Sequence, residues 1–140
     1  MAVVERQVVY ESEHISVWCY PDARIIHHQM HKYCFGQPFR EALTAGTRAL
    51  KQHGAIGWLS DNRLTGPLPD DDERWATTSW FSQTKAAGWL YWAMVWPERA
   101  VAKLNVKRLV ELYRTRGIDA QLFTDPSAAQ PWLTEVCKPR

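Results

Sequence analysis

The amino-acid sequence predicts a single α/β domain with a mixed sheet. Residues 1–35 form an antiparallel, strand-rich start, and residues 36–137 a parallel βαβαβα part with helices packed on the sheet. Three observations carry that reading. β-rich runs follow one another closely up to His31. From Gly36 onward, helical apolar spacing alternates with short apolar runs. Gly, Pro and Asp stand at the joins. An alternating order of this kind asks for parallel strands joined by helical crossovers.

Gln7 to Tyr10 is a short β-rich run, and Ile15 to Tyr20 (ISVWCY) a second, with Ile15, Val17 and Cys19 on one face. Pro21-Asp22 marks a turn, and Arg24 to His31 (RIIHHQMH) closes the meander. Phe39, Leu43, Gly46 and Leu50 then recur at helical spacing, and Gly54 is placed to end that helix in the left-handed conformation. Ala55 to Leu59 reads as an apolar strand and Ser60 to Pro69 as a loop. Asp70 predicts an N-cap, with Glu73 completing a capping box, for a helix running to about Ala87. Leu90 to Trp96 (LYWAMVW) is nearly all apolar, as in a strand covered on both faces. Asn105 predicts the cap of a third helix, stapled by Leu104 and Leu109 and closed by Gly117. Residues 119–123 complete the parallel strands. Asp125-Pro126 opens a final helix to about Val136, in which Pro131 predicts a late start or a kink.

Composition narrows the function classes. A net charge of +2 over 140 residues gives no electrostatic reason to expect nucleic acid. Glu5 and Arg6 interrupt the opening apolar stretch and no apolar core follows, so neither a leader nor membrane insertion is expected. Cys19, Cys34 and Cys137 are odd in number and form no CxxC pair, which points to reduced thiols and a cytoplasmic location. Eight tryptophans are the unusual feature, and they fit either a Trp-rich core or an interface or ligand cleft.

WLSDNR (58–63), DDDERWATTSWF (70–81), YWAMVWP (91–97), AKLNV (102–106) and FTDPSAAQPWL (123–133) stand in an order and spacing that resemble the STAS domain family. Its founding members are anti-sigma-factor antagonists of the SpoIIAA type. The similarity is greater to the stand-alone bacterial STAS/SEC14-like proteins. The resemblance implies a mixed sheet, binding of a partner protein rather than catalysis, and in some members a phosphorylated Ser or Thr between a central strand and the next helix. Ser60 to Asp70 occupies that place here. The family's short Asp-Ser-Ser/Thr-Gly motif is absent, and Thr65, with Ser60 beside it, is the nearest counterpart of the acceptor.

The residues themselves nominate the same segment. Asp61, Asn62, Arg63 and Thr65 leave the carboxyl end of a strand, where open α/β sheets bind ligands, and Asp70 begins the helix that follows. Asp61 and Arg63 can equally pair to fix the loop. At 100° per residue Trp75, Trp80 and Phe81 fall at about 0°, 140° and 240° around one helix. One sheet face cannot cover all three, which predicts a contact surface and a two-fold homodimer. His27 and His31 share a strand face opposite His28, an alternation that argues against a metal site with Cys34. Lys103, Lys107, Arg108, Arg114 and Arg116 read as a solvated helical face. There is no P-loop, GxGxxG or GxSxG motif and no nucleophile–base pair. The expected function is therefore a regulatory or protein-interaction module without cofactor. The alternative is a carrier of a small apolar or lipid-like ligand, and a third reading is an enzyme acting at the Asp61 loop.

Overall fold

The computed structural model describes residues 5–139. Met1 to Val4, part of the opening stretch read for a leader, and Arg140 lie outside them. The chain runs β1 (Gln7–Glu11), β2 (Ile15–Tyr20), β3 (Ile25–Met30), α1 (Gly36–His53), β4 (Gly57–Asp61), α2 (Asp70–Thr77), α3 (Ser79–Ala86), β5 (Tyr91–Val95), α4 (Ala100–Thr115), β6 (Asp119–Phe123) and α5 (Pro126–Val136).

The six strands stand side by side in the order in which they occur in the chain. β1, β2 and β3 pair antiparallel, and β3 to β6 are parallel. This is the mixed sheet that the alternating pattern predicts. Crossovers of one hand, always advancing in one direction, bring their helices to one face. There Leu43 and Leu50 of α1, Trp80 and Phe81 of α3, and Val106, Val110 and Tyr113 of α4 pack on Val17, Ile26, Trp58, Trp92 and Met94. Ala129 and Leu133 of α5 cover Leu59, Ala93 and Val95 on the opposite face. With helices on both sides, β4 and β5 are buried nearly throughout, and β5 is apolar as well.

Several element boundaries differ from the sequence expectation. Strand pairing starts at Gly57 rather than Ala55, because the Ala55 N–H closes the end of α1 on Leu50 O at 2.9 Å, beside Gly54 at φ 65°. β4 consequently extends through Ser60 and Asp61, which were expected in the loop. The expected helix 70–87 is broken at Thr78, where φ is −118° and ψ −88°. Thr77 Oγ1 and Thr78 Oγ1 donate to Glu73 O and Arg74 O at 2.9 and 2.6 Å, and such back-bonding competes with the helical ladder. α4 begins at Ala100, so Asn105 lies inside the helix instead of capping it, and Leu104 is 73% exposed rather than stapled. α5 begins at Pro126 without the expected delay. Asp125 accepts the Ser127 N–H at 2.9 Å, and the helix continues through Pro131.

Candidate functional site

The loop between β4 and α2 folds back over the carboxyl ends of β3, β4 and β5 and roofs an apolar cleft. Met30, Met94 and Trp92 supply its sheet wall, Phe39 and Leu43 come from α1, Trp80 from α3, and Val106 and Leu109 from α4. The cleft leaves about 50 Å³ in which the centre of a water-sized sphere can move. That is space for roughly four such groups in the closed protein. His28, Ser60, Asn62, Thr65 and Asn105 are its polar lining, and among the described residues no Asp, Glu, Lys or Arg reaches it.

The expected site residues fall into two sets. Asn62 and Thr65 turn inward, into the cleft. The indole N–H of Trp58 donates to His28 Nδ1 at 2.9 Å, and His28 Nε2 lies 2.8 Å from Asn62 Oδ1. An indole nitrogen is a donor only, so His28 Nδ1 must accept and Nε2 carries the ring proton. Asn62 Oδ1 therefore accepts from Nε2, and the amide nitrogen faces Met94 Sδ at 3.4 Å. Burial lowers the His28 pKa to about 4, against a smaller upward pull from the Asn62 hydrogen bond, so the neutral ring is the form present. Thr65 is 3% exposed and donates to Gly66 O, and Ser60 is 2% exposed and accepts the Trp92 indole N–H at 2.8 Å. Both hydroxyls at the place of the family's acceptor are thus buried.

Asp61 and Arg63 belong to the rim. Arg63 Nε and Nη2 donate to the two Asp61 carboxylate oxygens at 2.9 and 2.8 Å, and this bond holds the guanidinium pKa above its ordinary value. Asp61 is buried and fully occupied by this pair, which fixes the loop as the simpler reading had it. Asp70 is not a cap. Pro69 holds the N-cap position without a side-chain bond, and Asp70 is the first helical residue and exposed. The capping box is replaced by two longer connections. Glu73 is bound by Arg108, and the buried Asp72, which suits the helix dipole by its position, accepts Gly36 N–H at 2.7 Å and Arg40 Nε at 2.9 Å.

The break at Thr78 also undoes the expected ring of aromatics. Trp80 and Phe81 are buried in the core, and Trp75 packs against it beside Phe39 with Arg40 above its ring. Of the three, Trp75 alone keeps part of its surface uncovered. The histidines disperse as well. His27 faces Tyr20, His28 lines the cleft, and His31 Nε2 meets Ser16 Oγ at 2.7 Å. Of the basic residues around α4, Arg108 is held by Glu73, Arg114 by Ala120 O and Arg116 by Thr77 O.

Sequence reasoning missed the wall: Met30, Leu43, Met94, Val106 and Leu109 read as ordinary core positions, and their periodicity carries no sign of a void. Asn105 was seen but misassigned. Its Oδ1 accepts the Leu68 N–H at 2.9 Å and ties the loop to α4. Among the described residues no helix is long and apolar enough to cross a membrane. No family model matches the chain, and no curated protein and no solved structure matches it significantly.

Proposed function

We propose that this protein is a binding domain that takes a small, predominantly apolar molecule in the cleft beneath the loop 62–69. The observation that supports it most is the inward orientation of that loop. The buried Thr65 and the half-buried Asn62 line an apolar cleft at the carboxyl ends of parallel strands. Catalysis has no comparable support. Ser60 and His28 are register partners on β4 and β3, yet both His28 ring nitrogens are engaged, by Trp58 and Asn62, and none is left to take the Ser60 proton. Methyl NMR of Met30 and Met94 during titration with benzene tests the reading. Saturable shifts at both methyls, lost in Ala76→Phe, which fills the cleft, are the expected result. Methyls that do not respond would remove the cleft from consideration.

A second reading, a regulatory protein-interaction module of STAS type, draws on the motifs quoted above and on a separate observation. Phe35, Leu64, Val101 and Leu104 are exposed apolar side chains on the segments that follow β3, β4 and β5. A partner recovered from the source cell by the wild type, and lost with Leu64→Asp/Leu104→Asp, is expected on this reading. An Asp61→Ala/Arg63→Ala variant does not discriminate, because that pair is spent on the loop itself.

A further inference from the structure

The cleft carries a polarity that its apolar walls conceal. The chain from Trp58 through His28 to Asn62 can be oriented in one way only, because it starts from an indole that cannot accept. Its far end is the Asn62 amide nitrogen, which has two protons to give. Among the described residues it meets the Met94 thioether at 3.4 Å, a weak acceptor.

The other polar groups of the lining are better served. The Tyr113 hydroxyl donates to Ala76 O at 2.6 Å, the Trp80 indole to Leu43 O at 3.2 Å, and the Asn105 carbonyl oxygen accepts from Leu68. Ser60 accepts from Trp92 and keeps its own proton to give. Among the described residues, the protons left to give belong to Asn62 Nδ2, the Asn105 amide nitrogen and the Ser60 hydroxyl, so donors outnumber the one hydroxyl, Thr65, whose oxygen accepts nothing. With no charged side chain in the lining, a carboxylate or an ammonium would be desolvated there without compensation.

We infer that the cleft selects a neutral molecule bearing a hydrogen-bond acceptor, such as a ketone, ester or amide, with its oxygen on Asn62 Nδ2. This rests on the apolar-ligand reading above and adds the chemical class. The enclosed space limits the seated part to a ring or short branched chain, in which an acceptor oxygen is a large fraction of the whole. A donor group in the same place would face Asn62 N–H protons and gain nothing.

Four probes of similar shape test the assignment: cyclopentanone, methylcyclopentane, cyclopentanol and cyclopentylammonium. Binding is followed by tryptophan fluorescence and by the Asn62 side-chain amide cross-peaks. In the wild type, cyclopentanone is expected to move those cross-peaks saturably, and cyclopentylammonium is expected not to bind. Asn62→Asp keeps the oxygen that accepts from His28 and removes the donor. It should weaken cyclopentanone by roughly fivefold or more, the worth of one hydrogen bond. Methylcyclopentane should lose less than cyclopentanone, since the new carboxylate costs both probes and only the ketone also loses its donor, and cyclopentanol and cyclopentylammonium should gain on cyclopentanone. Cyclopentanone affinity unchanged in Asn62→Asp, or Asn62 cross-peaks that stay still while the ketone binds, would overturn the inference. Methylcyclopentane binding with no ketone contact to Asn62 would do the same while leaving the apolar cleft intact. If no probe binds, both readings fall. Should Asn62→Asp not fold by circular dichroism, the wild-type cross-peaks decide.

Discussion

The two histidines of β3 make acid sensitivity a residue-scale property. Burial lowers His28 to about 4, and burial together with the neighbouring His28 lowers His27 to about 4. Both folded-state values lie below the ordinary histidine value, so the unfolded chain binds protons that the native chain refuses. Stability is therefore complete above about pH 7 and declines as pH falls toward 4, by up to about 1.4 kcal/mol per pH unit for each histidine. Urea midpoints measured from pH 7.5 to 5 should show this decline. His28→Leu should lower stability at pH 7.5, by leaving the Trp58 N–H without a partner, and should roughly halve the slope. An unaltered slope in the variant would contradict the assignment. The cysteines offer a second measurement. Burial raises Cys19, Cys34 and Cys137 to about 11, and all three thiols are free. Ellman's reagent at pH 8 should stay colourless until denaturant is added. At this scale the sequence marked Asp61, Asn62, Arg63 and Thr65 as a set of polar groups at a strand end, and the structure keeps them there. Their direction was not legible, because it depends on Gln29 pairing with Asp61 across β3 and β4. Composition and spacing within one segment do not contain that register.

Among elements, α1 and α3 meet the sheet around Trp58, and the contact depends on one absent side chain. A Cβ on Gly46 would lie 2.4 Å from Cη2 of the Trp58 ring. In an exposed helix, Gly→Ala would add about 1 kcal/mol of stability. Here the indole is pinned by Trp80, Trp89 and its bond to His28, so overpacking should outweigh that gain, by about 1–3 kcal/mol. Gly46→Ala should accordingly lower the urea midpoint, and a raised midpoint would mean that the ring can move. Trp80→Ala tests the neighbouring element. With Trp80 buried against Trp58 and Trp89, truncation should cost about 3–5 kcal/mol and lower the melting temperature without shifting the mass seen in light scattering. Dissociation of a folded dimer into folded monomers would restore the aromatic interface that the sequence alone predicted. The strands were legible to within two residues because their apolar runs are bounded by Gly, Pro and Asp. The break at Thr78 was not, since Thr77 and Thr78 look like tolerable helix residues until their hydroxyls are seen bonding one turn back. The start of α4 was misplaced for the opposite reason. Asn105 carries the strongest cap signal nearby, but its side chain serves Leu68, and a helix can begin at Ala100 with no cap at all.

For the whole molecule, the two faces of the sheet are unequally covered. Several helices share one face, whereas α5 alone lies over Leu59, Ala93 and Val95. Ending the chain at Asp125 should expose these side chains, giving a protein that binds a hydrophobic dye and associates, as sedimentation would show. A monodisperse, dye-silent product would mean that the sheet tolerates one bare face. The strand order carries a different consequence, for the ribosome. Every strand pairs with the one translated just before it, so each new pairing closes a short stretch of chain and none waits for a distant partner. A nascent polypeptide released from the exit tunnel as far as β4 already holds three of the five pairings. Domains generally fold from the amino-terminal side during synthesis, and here the sheet can grow outward from β1 at the pace of translation. Folding force on stalled chains should then rise in steps, one at the emergence of each β-strand, instead of in a single event at the end of the message.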